Sequence, residues 1–198
     1  LGMHPMFLAG TATWRALLGA EHIGGALLDV GAGRGDVTAT LAPLFDAVVA
    51  TETSAPMIRR LRARGYDAQR IDLAREALTP ERTFRATSLL HVLDRCARPR
   101  SLLGAAVART EPGGRVIVAC PLPARPHVDV GGTTVDPDEP LPIDGESFED
   151  ALASLVERLL RPACLEVERW TRTTYLARGD RDAPLHALDD VIVIARRT

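Results

Sequence analysis

The 198-residue sequence contains neither lysine nor asparagine, and all 24 of its basic residues are arginine. The absence of lysine excludes a Schiff-base or P-loop lysine, and the absence of asparagine excludes a catalytic asparagine. Acidic residues number 26, which gives a net charge of −2. Because no overall positive field attracts a polyanion, we expect no nucleic-acid partner.

Cysteine and long apolar runs are scarce as well. The three cysteines, Cys96, Cys120 and Cys164, lie far apart and outside any Cys-x-x-Cys pair, which predicts isolated thiols in a reducing compartment and neither a disulfide nor a metal site. No run approaches 18 apolar residues, and the amino terminus lacks the basic flank of a signal peptide. We therefore expect a cytoplasmic protein without a membrane partner, with a monomer as the default oligomeric state. The missing residue types both have AT-rich codons, which indicates a GC-rich bacterial genome.

The length of the chain suits a single domain with one core. Five apolar runs predict strands, at 26–30, 47–52, 66–71, 86–91 and 115–120. Helical patterns precede or separate them, at 11–20, 36–44, 55–64 and 98–108. This alternation predicts an α/β fold of the Rossmann-like, doubly wound type, with a mostly parallel sheet between two layers of helices. Two more strands are predicted at 165–175 and 188–196.

Residues 121–146 break this pattern with six prolines and the pair Gly131-Gly132. The segment is too long for a passive connector, so it predicts a lid or substrate loop, and a disordered insertion is the alternative. Ser147 then predicts the start of a helix through Arg161, with Asp150 completing an imperfect capping box.

A glycine motif supplies the strongest functional signal. Gly31-x-Gly33-x-Gly35 follows the first predicted strand, and Glu52 ends the second. The motif is one residue shorter than the dinucleotide fingerprint, and a carboxylate 21 residues after its first glycine is placed to accept hydrogen bonds from both hydroxyls of a ribose. This arrangement is typical of an S-adenosylmethionine (SAM) site rather than a nicotinamide site. A ligand-free tight turn is the alternative.

Longer motifs resemble those of one family, the DREV methyltransferases, from about Met6 to Ile194. They are Thr51-Glu52-Thr53-Ser54-Ala55-Pro56-Met57, Leu93-Asp94-Arg95-Cys96, Thr171-Arg172-x-x-Tyr175-Leu176 and Leu188-Asp189-Asp190. The resemblance implies a class I methyltransferase fold with an antiparallel C-terminal strand, SAM as cofactor and S-adenosyl-L-homocysteine as product. For the characterised animal members it also implies methylation of the Nπ (Nδ1) atom of histidine in His-x-His segments.

Three positions depart from that family. His91 stands where asparagine is common, His186 stands where an aromatic residue is common, and Arg85 replaces an aspartate that opens a strand. The resemblance implies that positions 91 and 186 lie near the methyl-transfer centre, whereas Arg85 is expected to affect only the strand end. The reaction type therefore transfers more safely than the acceptor.

The residues and the resemblance together give three sets of candidate site residues. The cofactor set is Asp29, Gly31, Gly33, Arg34, Gly35, Glu52, Thr53, Met57, Asp72 and His91. The catalytic set is His91, Asp94, Tyr175 and His186. The substrate-binding set is Asp94, Arg95, Arg172, Tyr175 and His186. No metal ligand is expected.

The expected chemistry is an in-line displacement, in which the protein aligns the reactants and excludes water. A neutral imidazole acceptor needs only the correct tautomer, which Asp94 can fix by binding the other ring N–H. A hydroxyl acceptor needs a base, for which His91 or His186 is suitable. Three functions follow: a peptide or protein histidine methyltransferase, a bacterial biosynthetic enzyme that methylates a small molecule or modified peptide, and a SAM-binding module without activity.

Overall fold

The computed structural model describes residues 6–178 and 185–198. Those residues form nine strands: β1 (Ala26–Val30), β2 (Ala47–Glu52), β3 (Asp67–Arg70), β4 (Phe84–Leu90), β5 (Thr110–Pro121), β6 (Val128–Val130), β7 (Thr133–Val135), β8 (Leu165–Arg178) and β9 (Leu185–Arg197). The α-helices are α1 (Thr11–Leu18), α2 (Thr38–Leu41), α3 (Ala55–Ala63), α4 (Pro99–Arg109) and α5 (Phe148–Ser154). None of the helices in the described ranges is long and apolar enough to cross a membrane.

Seven strands form one sheet in the order β3-β2-β1-β4-β5-β9-β8. Strands β1 to β5 pair in parallel, whereas β9 is antiparallel to both of its neighbours. The predicted α/β fold with an antiparallel C-terminal strand is confirmed. Because β9 runs opposite to β1, β2 and β4, its first residues lie at the edge where those strands end.

Helices cover both faces of the sheet, so its central strands are buried on both sides. On one face, α4, α5 and the turns after α5 pack on residues such as Leu28 and Val193. On the other face, α1 and α2 pack on residues such as Leu27 and Ile192. Consecutive strand residues therefore belong to opposite faces, as the two-residue period of a strand requires.

The bounds of β1 and β2 are those predicted from their apolar runs, but the helix between them is shorter than predicted. Regular α-helix covers only Thr38–Leu41, followed by a 3-10 turn at Ala42–Leu44. The side chain of Asp36 does not join the first helical turn. It forms ion pairs with Arg34 and Arg64 instead.

The proline-rich segment 121–146 is only partly a loop. Its middle forms the two-stranded β6–β7 sheet, whose Val130 and Val135 are exposed. Its later part is anchored, because Leu141 and Ile143 are buried in the core and Glu139 accepts a hydrogen bond from the Ser101 backbone N–H at 2.9 Å. The segment that follows the β6–β7 hairpin is therefore fixed to the core.

The helix predicted from Ser147 begins as expected. The Ser147 hydroxyl oxygen accepts a hydrogen bond from the Asp150 backbone N–H at 3.1 Å, which caps α5. Regular α-helix ends at Ser154 and continues as a π-helical segment, Leu155–Leu160, and a 3-10 turn, Arg161–Ala163. The predicted final strands extend further towards each other than expected and form the long β8–β9 pair.

Candidate active site

The glycine turn lies at the edge of the sheet where β1, β2 and β4 end. Backbone N–H groups of Gly31 and Ala32 donate to the Thr51 carbonyl oxygen of β2, at 2.9 and 3.1 Å. Gly31 has a φ of 70°, and a Cβ atom there would lie 2.6 Å from a Val92 methyl carbon. At Gly33, by contrast, a Cβ would meet nothing within 4 Å. The turn is therefore tight on its inner side and open on its outer side, which suits close approach of a ligand to the backbone.

The carboxylate of Glu52 is fixed by the same turn. One oxygen accepts hydrogen bonds from the backbone N–H groups of Thr53 and Ser54 at 2.8 and 3.0 Å, and the other accepts one from Gly33 at 3.0 Å. The first oxygen also accepts a long hydrogen bond from the Thr53 hydroxyl at 3.4 Å. Each carboxylate oxygen accepts about two hydrogen bonds, and the oxygen bound to Gly33 has one donor among the described residues. Glu52 therefore keeps acceptor capacity next to the turn, on the oxygen that faces Gly33.

A cavity of about 420 Å³ opens beside this carboxylate. Three predicted cofactor residues on its wall, Glu52, Thr53 and Asp72, come from the ends of neighbouring strands. Arg95 and the hairpin residue Asp129 line it as well. The volume lies within the usual range of small-molecule sites.

A second cavity of about 190 Å³ lies on the other side of the glycine turn, lined by Asp29, Gly33 and Tyr175 among others. The residues that line both cavities are Gly31 and His91. The two cavities thus form one elongated site whose narrow point is the glycine turn and the His91 side chain.

Asp29 is a buried carboxylate on the wall of the smaller cavity. Its oxygens accept hydrogen bonds from the hydroxyl groups of Thr38 (2.5 Å) and Ser88 (2.7 Å), so it joins the start of α2 to β4 rather than binding the glycine turn directly. Burial raises the pKa of Asp29 to about 6, although these two hydrogen bonds oppose the shift.

His91 occupies a constrained position at the end of β4. Its φ of 57° lies in the left-handed region, where asparagine and histidine are enriched among non-glycine residues. Its ring stacks on Tyr175 with centroids 3.6 Å apart and an interplanar angle of 13°. Ring atom Nε2 lies 2.8 Å from a carboxylate oxygen of Asp190, whose side chain is fully buried.

Asp94 follows three residues later and is also buried, with 4% of its side chain exposed. One carboxylate oxygen accepts a hydrogen bond from Arg95 Nε at 2.9 Å, and the other, Oδ1, has no hydrogen-bond partner among the described residues. Arg95 also contacts His127, whose backbone N–H donates to the Asp94 carbonyl oxygen at 2.9 Å. These contacts attach the segment before the hairpin to the site.

The structure brings together most of the predicted site residues. Seven of the predicted cofactor residues line the two cavities: Asp29, Gly31, Gly33, Glu52, Thr53, Asp72 and His91. Of the other predicted site residues, Tyr175 and Arg95 line the cavities, and Asp94 lies among residues that do. Cys96 also borders the larger cavity, but burial raises its pKa to about 12, so it is a neutral thiol.

Besides Asp94, five predicted residues line neither cavity, and each has another position in the fold. Gly35 packs on Leu61, and Arg34 pairs with Asp36. The sulfur of Met57 lies on α3, 3.8 Å from an Arg60 nitrogen.

The remaining two are on the β8–β9 pair. Arg172 lies on the sheet face opposite Tyr175, where it binds both carboxylate oxygens of Asp189 and stacks over Phe148. His186 pairs with Ala177, four residues before Asp190 and therefore about 13 Å away along the strand.

Asp190 was not among the predicted site residues. The chain nevertheless carries a signal for it: a carboxylate directly before the apolar run 191–195. If β9 were parallel to its neighbours, Asp190 would lie at the opposite edge of the sheet, where the parallel strands begin. Because β9 is antiparallel, its beginning lies at the edge that carries the cavities. Strand direction, which is a tertiary property, decides where Asp190 lies.

This fold and site define a class I SAM-dependent methyltransferase. Similar solved structures include the N-methyltransferase NodS from Bradyrhizobium japonicum WM9 with S-adenosyl-L-homocysteine, at 15% identity, 94% and 85% coverage of the two chains and a TM-score of 0.61. Magnesium protoporphyrin IX methyltransferase (ChlM) from Synechocystis PCC 6803 with bound SAM is 15% identical, with 94% and 77% coverage and a TM-score of 0.61. The [4+2]-cyclase SpnF is 18% identical, with 94% and 80% coverage and a TM-score of 0.59.

These neighbours share the fold with this chain, whereas a sequence match is more specific. The chain belongs to the DREV methyltransferase family, whose sequence model matches residues 1–197. It is a SAM-dependent methyltransferase, and the family resemblance read from its motifs is confirmed.

The residues present fit this cofactor. Gly31 leaves no space for a side chain, Glu52 offers a carboxylate beside the turn, and the cavities continue on both sides. Glu52 would hold the ribose hydroxyls, and Thr53 and Asp72 would border the adenine end. When bound, SAM supplies an electrophilic methyl group on a sulfonium. The protein's part is to orient the acceptor at the narrow point near His91 and to exclude water.

Proposed function

We propose that this enzyme methylates a ring nitrogen of histidine, the Nπ atom, in a peptide or protein His-x-His segment. The observation that carries the proposal is the buried carboxylate of Asp94, whose Oδ1 has no partner among the described residues. A buried carboxylate oxygen without a partner is costly, so a donor from a ligand is strongly favoured there.

An imidazole ring supplies such a donor in one tautomer. If the ring N–H of the acceptor binds Asp94 Oδ1, its other nitrogen carries the lone pair that attacks the methyl group. Arg95 Nε binds the second oxygen of Asp94 at 2.9 Å and holds the carboxylate in place. The acceptor needs no further activation, since a neutral imidazole nitrogen is already nucleophilic.

The segment 121–146 is proposed to guide the peptide to this point. Val128 and Asp129 of the hairpin line the larger cavity, and His127 is joined to both Asp94 and Arg95. The segment therefore connects Asp94 to a hairpin whose Val130 and Val135 are exposed. A chain that extends out of the cavity would pass along this hairpin.

The test is incubation of the protein with methyl-labelled SAM and synthetic His-x-His peptides, followed by tandem mass spectrometry. Methylhistidine with the label on Nπ is the expected product. Asp94→Asn is expected to reduce turnover about tenfold, because the hydrogen bond to the acceptor loses its charge. The matched control is Asp67→Asn, which removes a carboxylate paired with Arg82 on the surface. Labelling of small-molecule acceptors without any methylhistidine would reject the proposal.

A second candidate is a biosynthetic methyltransferase whose acceptor is a hydroxyl group of a small molecule or modified peptide. The observation that favours it is an imidazole at position 91, which borders both cavities. A hydroxyl acceptor must lose its proton, and an imidazole base is suited to take it. His186 lines neither cavity, so this candidate depends on His91. Retention of full hydroxyl-methylating activity by His91→Ala would exclude it.

A further inference from the structure

We propose that Asp190 is a positioning residue that keeps the lone pair of His91 on Nδ1, and that His91 takes the proton lost by the methyl acceptor. The inference rests on the second candidate function above, in which the acceptor is a hydroxyl group that must lose its proton. It concerns the pair His91–Asp190. His91 stands where asparagine is common in the family, so the pair is a feature of this chain.

The hydrogen bond itself determines which ring nitrogen is available. Nε2 lies 2.8 Å from Asp190 Oδ2, and a carboxylate can only accept. Nε2 must therefore carry the hydrogen, and Nδ1 carries the lone pair. Nδ1 has no hydrogen-bond partner within residues 6–178 and 185–198, and the ring borders both cavities. The ring that carries this lone pair therefore lies between the two cavities, beside the glycine turn.

The His91 ring lies between a carboxylate and a neutral aromatic face. Its Nε2 neighbour Asp190 has a fully buried side chain and its own unpartnered oxygen, Oδ1. Tyr175 lies flat against the ring at 3.6 Å, and burial raises the pKa of its hydroxyl to about 12. The phenol is therefore neutral, and its π face attracts a cation.

Other charged groups act on the same region from each neighbouring element. Asp94 and Arg95 follow β4, and Asp29 and Asp36 lie across the smaller cavity. Arg95 is paired with Asp94, and Arg34 and Arg64 are paired with Asp36. Burial raises the pKa of the Asp190 carboxyl despite the hydrogen bond from His91. The carboxylate in contact with the His91 ring is therefore that of Asp190.

The proton and electron pairs balance for the hydroxyl acceptor. The proton on the reacting oxygen passes to His91 Nδ1. The electron pair left on that atom forms the bond to the methyl carbon as the bond from this carbon to the sulfonium sulfur breaks. The positive charge of the sulfonium is neutralised, and one proton is bound by His91 beside the Asp190 carboxylate until solvent removes it.

The first test requires no acceptor. Ring ¹⁵N NMR shows which nitrogen of each of the five histidines carries a proton. We expect the Nε2–H form for His91, and a change towards the Nδ1–H form in Asp190→Asn. An Nδ1–H form in the unaltered protein, or an unchanged tautomer in the variant, would overturn the inference. Failure to find an acceptor would reject the proposed function but would leave this result decisive.

The second test is the pH dependence of single-turnover rates with a hydroxyl acceptor. Asp190→Asn is expected to lower the rate about 100-fold with a nearly unchanged KM. Its acidic limb should move to lower pH, because cationic His91 loses its counter-charge. Asp46→Asn is the matched control, since Asp46 forms a His–Asp pair with His22 on the surface. A loss of rate without a shift of the limb means a merely structural role. If Asp190→Asn fails to fold, His91→Asn is the alternative variant. Loss of the acidic limb of its pH–rate profile supports the inference, and an unchanged acidic limb overturns it.

Discussion

Within residues 6–178 and 185–198, a histidine–aspartate pair lies at the edge of the sheet where the parallel strands begin and another at the edge where they end, and these two pairs differ in burial. At the edge where the parallel strands begin, His22 lies 2.9 Å from Asp46, with side chains 53% and 65% exposed. At the edge where they end, His91 lies 2.8 Å from Asp190, with side chains 9% and 0% exposed. The contact is the same, but its surroundings are not.

The two carboxylates accordingly shift in opposite directions. Hydrogen bonds from His22 and the Gly25 backbone hold the pKa of Asp46 below its usual value. Burial raises the pKa of Asp190 although His91 binds it. Hydrogen bonds to the charged form dominate in water, whereas desolvation dominates inside the protein. A His–Asp contact therefore marks a candidate reaction centre only where it is buried and borders a cavity.

The largest difference between the two pairs is expected when the imidazole of each pair, His91 or His22, is removed. His91→Ala is expected to lower turnover by about 100-fold or more, because it removes the proposed base and the ring that separates the cavities. His22→Ala should leave turnover unchanged, since His22 lies at the other edge. Labelled-SAM turnover measures both variants, with S-adenosyl-L-homocysteine affinity and circular dichroism as controls for folding. Equal turnover rates for the two variants would contradict a catalytic difference between the buried pair and the exposed pair.

Asp29 and Asp46 extend the comparison to stability, because their pKa shifts have opposite signs. The folded-state pKa of Asp29 is about 6, above the ordinary 3.8. The folded protein therefore binds the proton more tightly, and Asp29 lowers the free energy of unfolding as pH rises from about 4 to 6, by about 3 kcal/mol. Relative to the unaltered protein, Asp29→Asn should gain up to that amount between pH 4 and pH 7.

Asp46→Asn should behave in the opposite way. The pKa of Asp46 is lowered, so its stabilising contribution is complete above its ordinary value and disappears as pH falls through the folded-state value. The variant should be less stable at neutral pH and equal to the unaltered protein in acid. Urea unfolding curves at several pH values measure both variants. A pH trend of the same sign in the two would contradict the assignment of burial as the dominant cause at Asp29.

Substitution of Glu52 tests whether the cofactor binds at the edge of the sheet where the parallel strands end. Glu52→Ala should weaken S-adenosyl-L-homocysteine binding by about 1.5 to 3 kcal/mol, which is the usual contribution of a hydrogen bond to a charged group. Asp46→Ala, which removes a carboxylate that binds a glycine N–H at the other edge, should leave the affinity unchanged. Isothermal titration calorimetry distinguishes the two outcomes. Unchanged affinity in Glu52→Ala would mean that the ribose is held elsewhere.

The smallest expected effect is the stability change in His22→Ala. Exposed ion pairs contribute little and are screened by salt, so we expect a slight loss at low ionic strength that disappears in concentrated salt. Thermal unfolding at two salt concentrations measures it. A large, salt-independent loss would show that the exposed pair resembles the buried one more closely than its surroundings suggest.

Local patterns were sufficient to predict much of the fold, and several of the residues that they select as cofactor candidates line one cavity. The apolar runs that form β1 and β2 have the predicted bounds, and the spacing of Gly31 and Glu52 places both residues on one cavity. These features depend on neighbours in sequence or on adjacent strands. Sequence periodicity and turn chemistry report such short-range constraints well.

The acceptor side depends on longer-range contacts. His91 and Asp190 are 99 residues apart in sequence, and their contact requires β9 to run antiparallel beside β5. Arg172 and Tyr175 are three residues apart, yet the alternation of the strand places them on opposite faces of the sheet. Likewise, Asp36 was expected in the first turn of α2 but pairs with Arg64, which is 28 residues away in sequence.

The most direct test of the whole account is a crystal structure of the protein with S-adenosyl-L-homocysteine and an acceptor peptide. We predict the ribose hydroxyls on Glu52, the thioether sulfur at the narrow point beside Gly31 and His91, and the acceptor nitrogen between that sulfur and Asp94. A nucleoside bound away from the glycine turn, or an acceptor on the far side of the sheet from His91, would contradict the account.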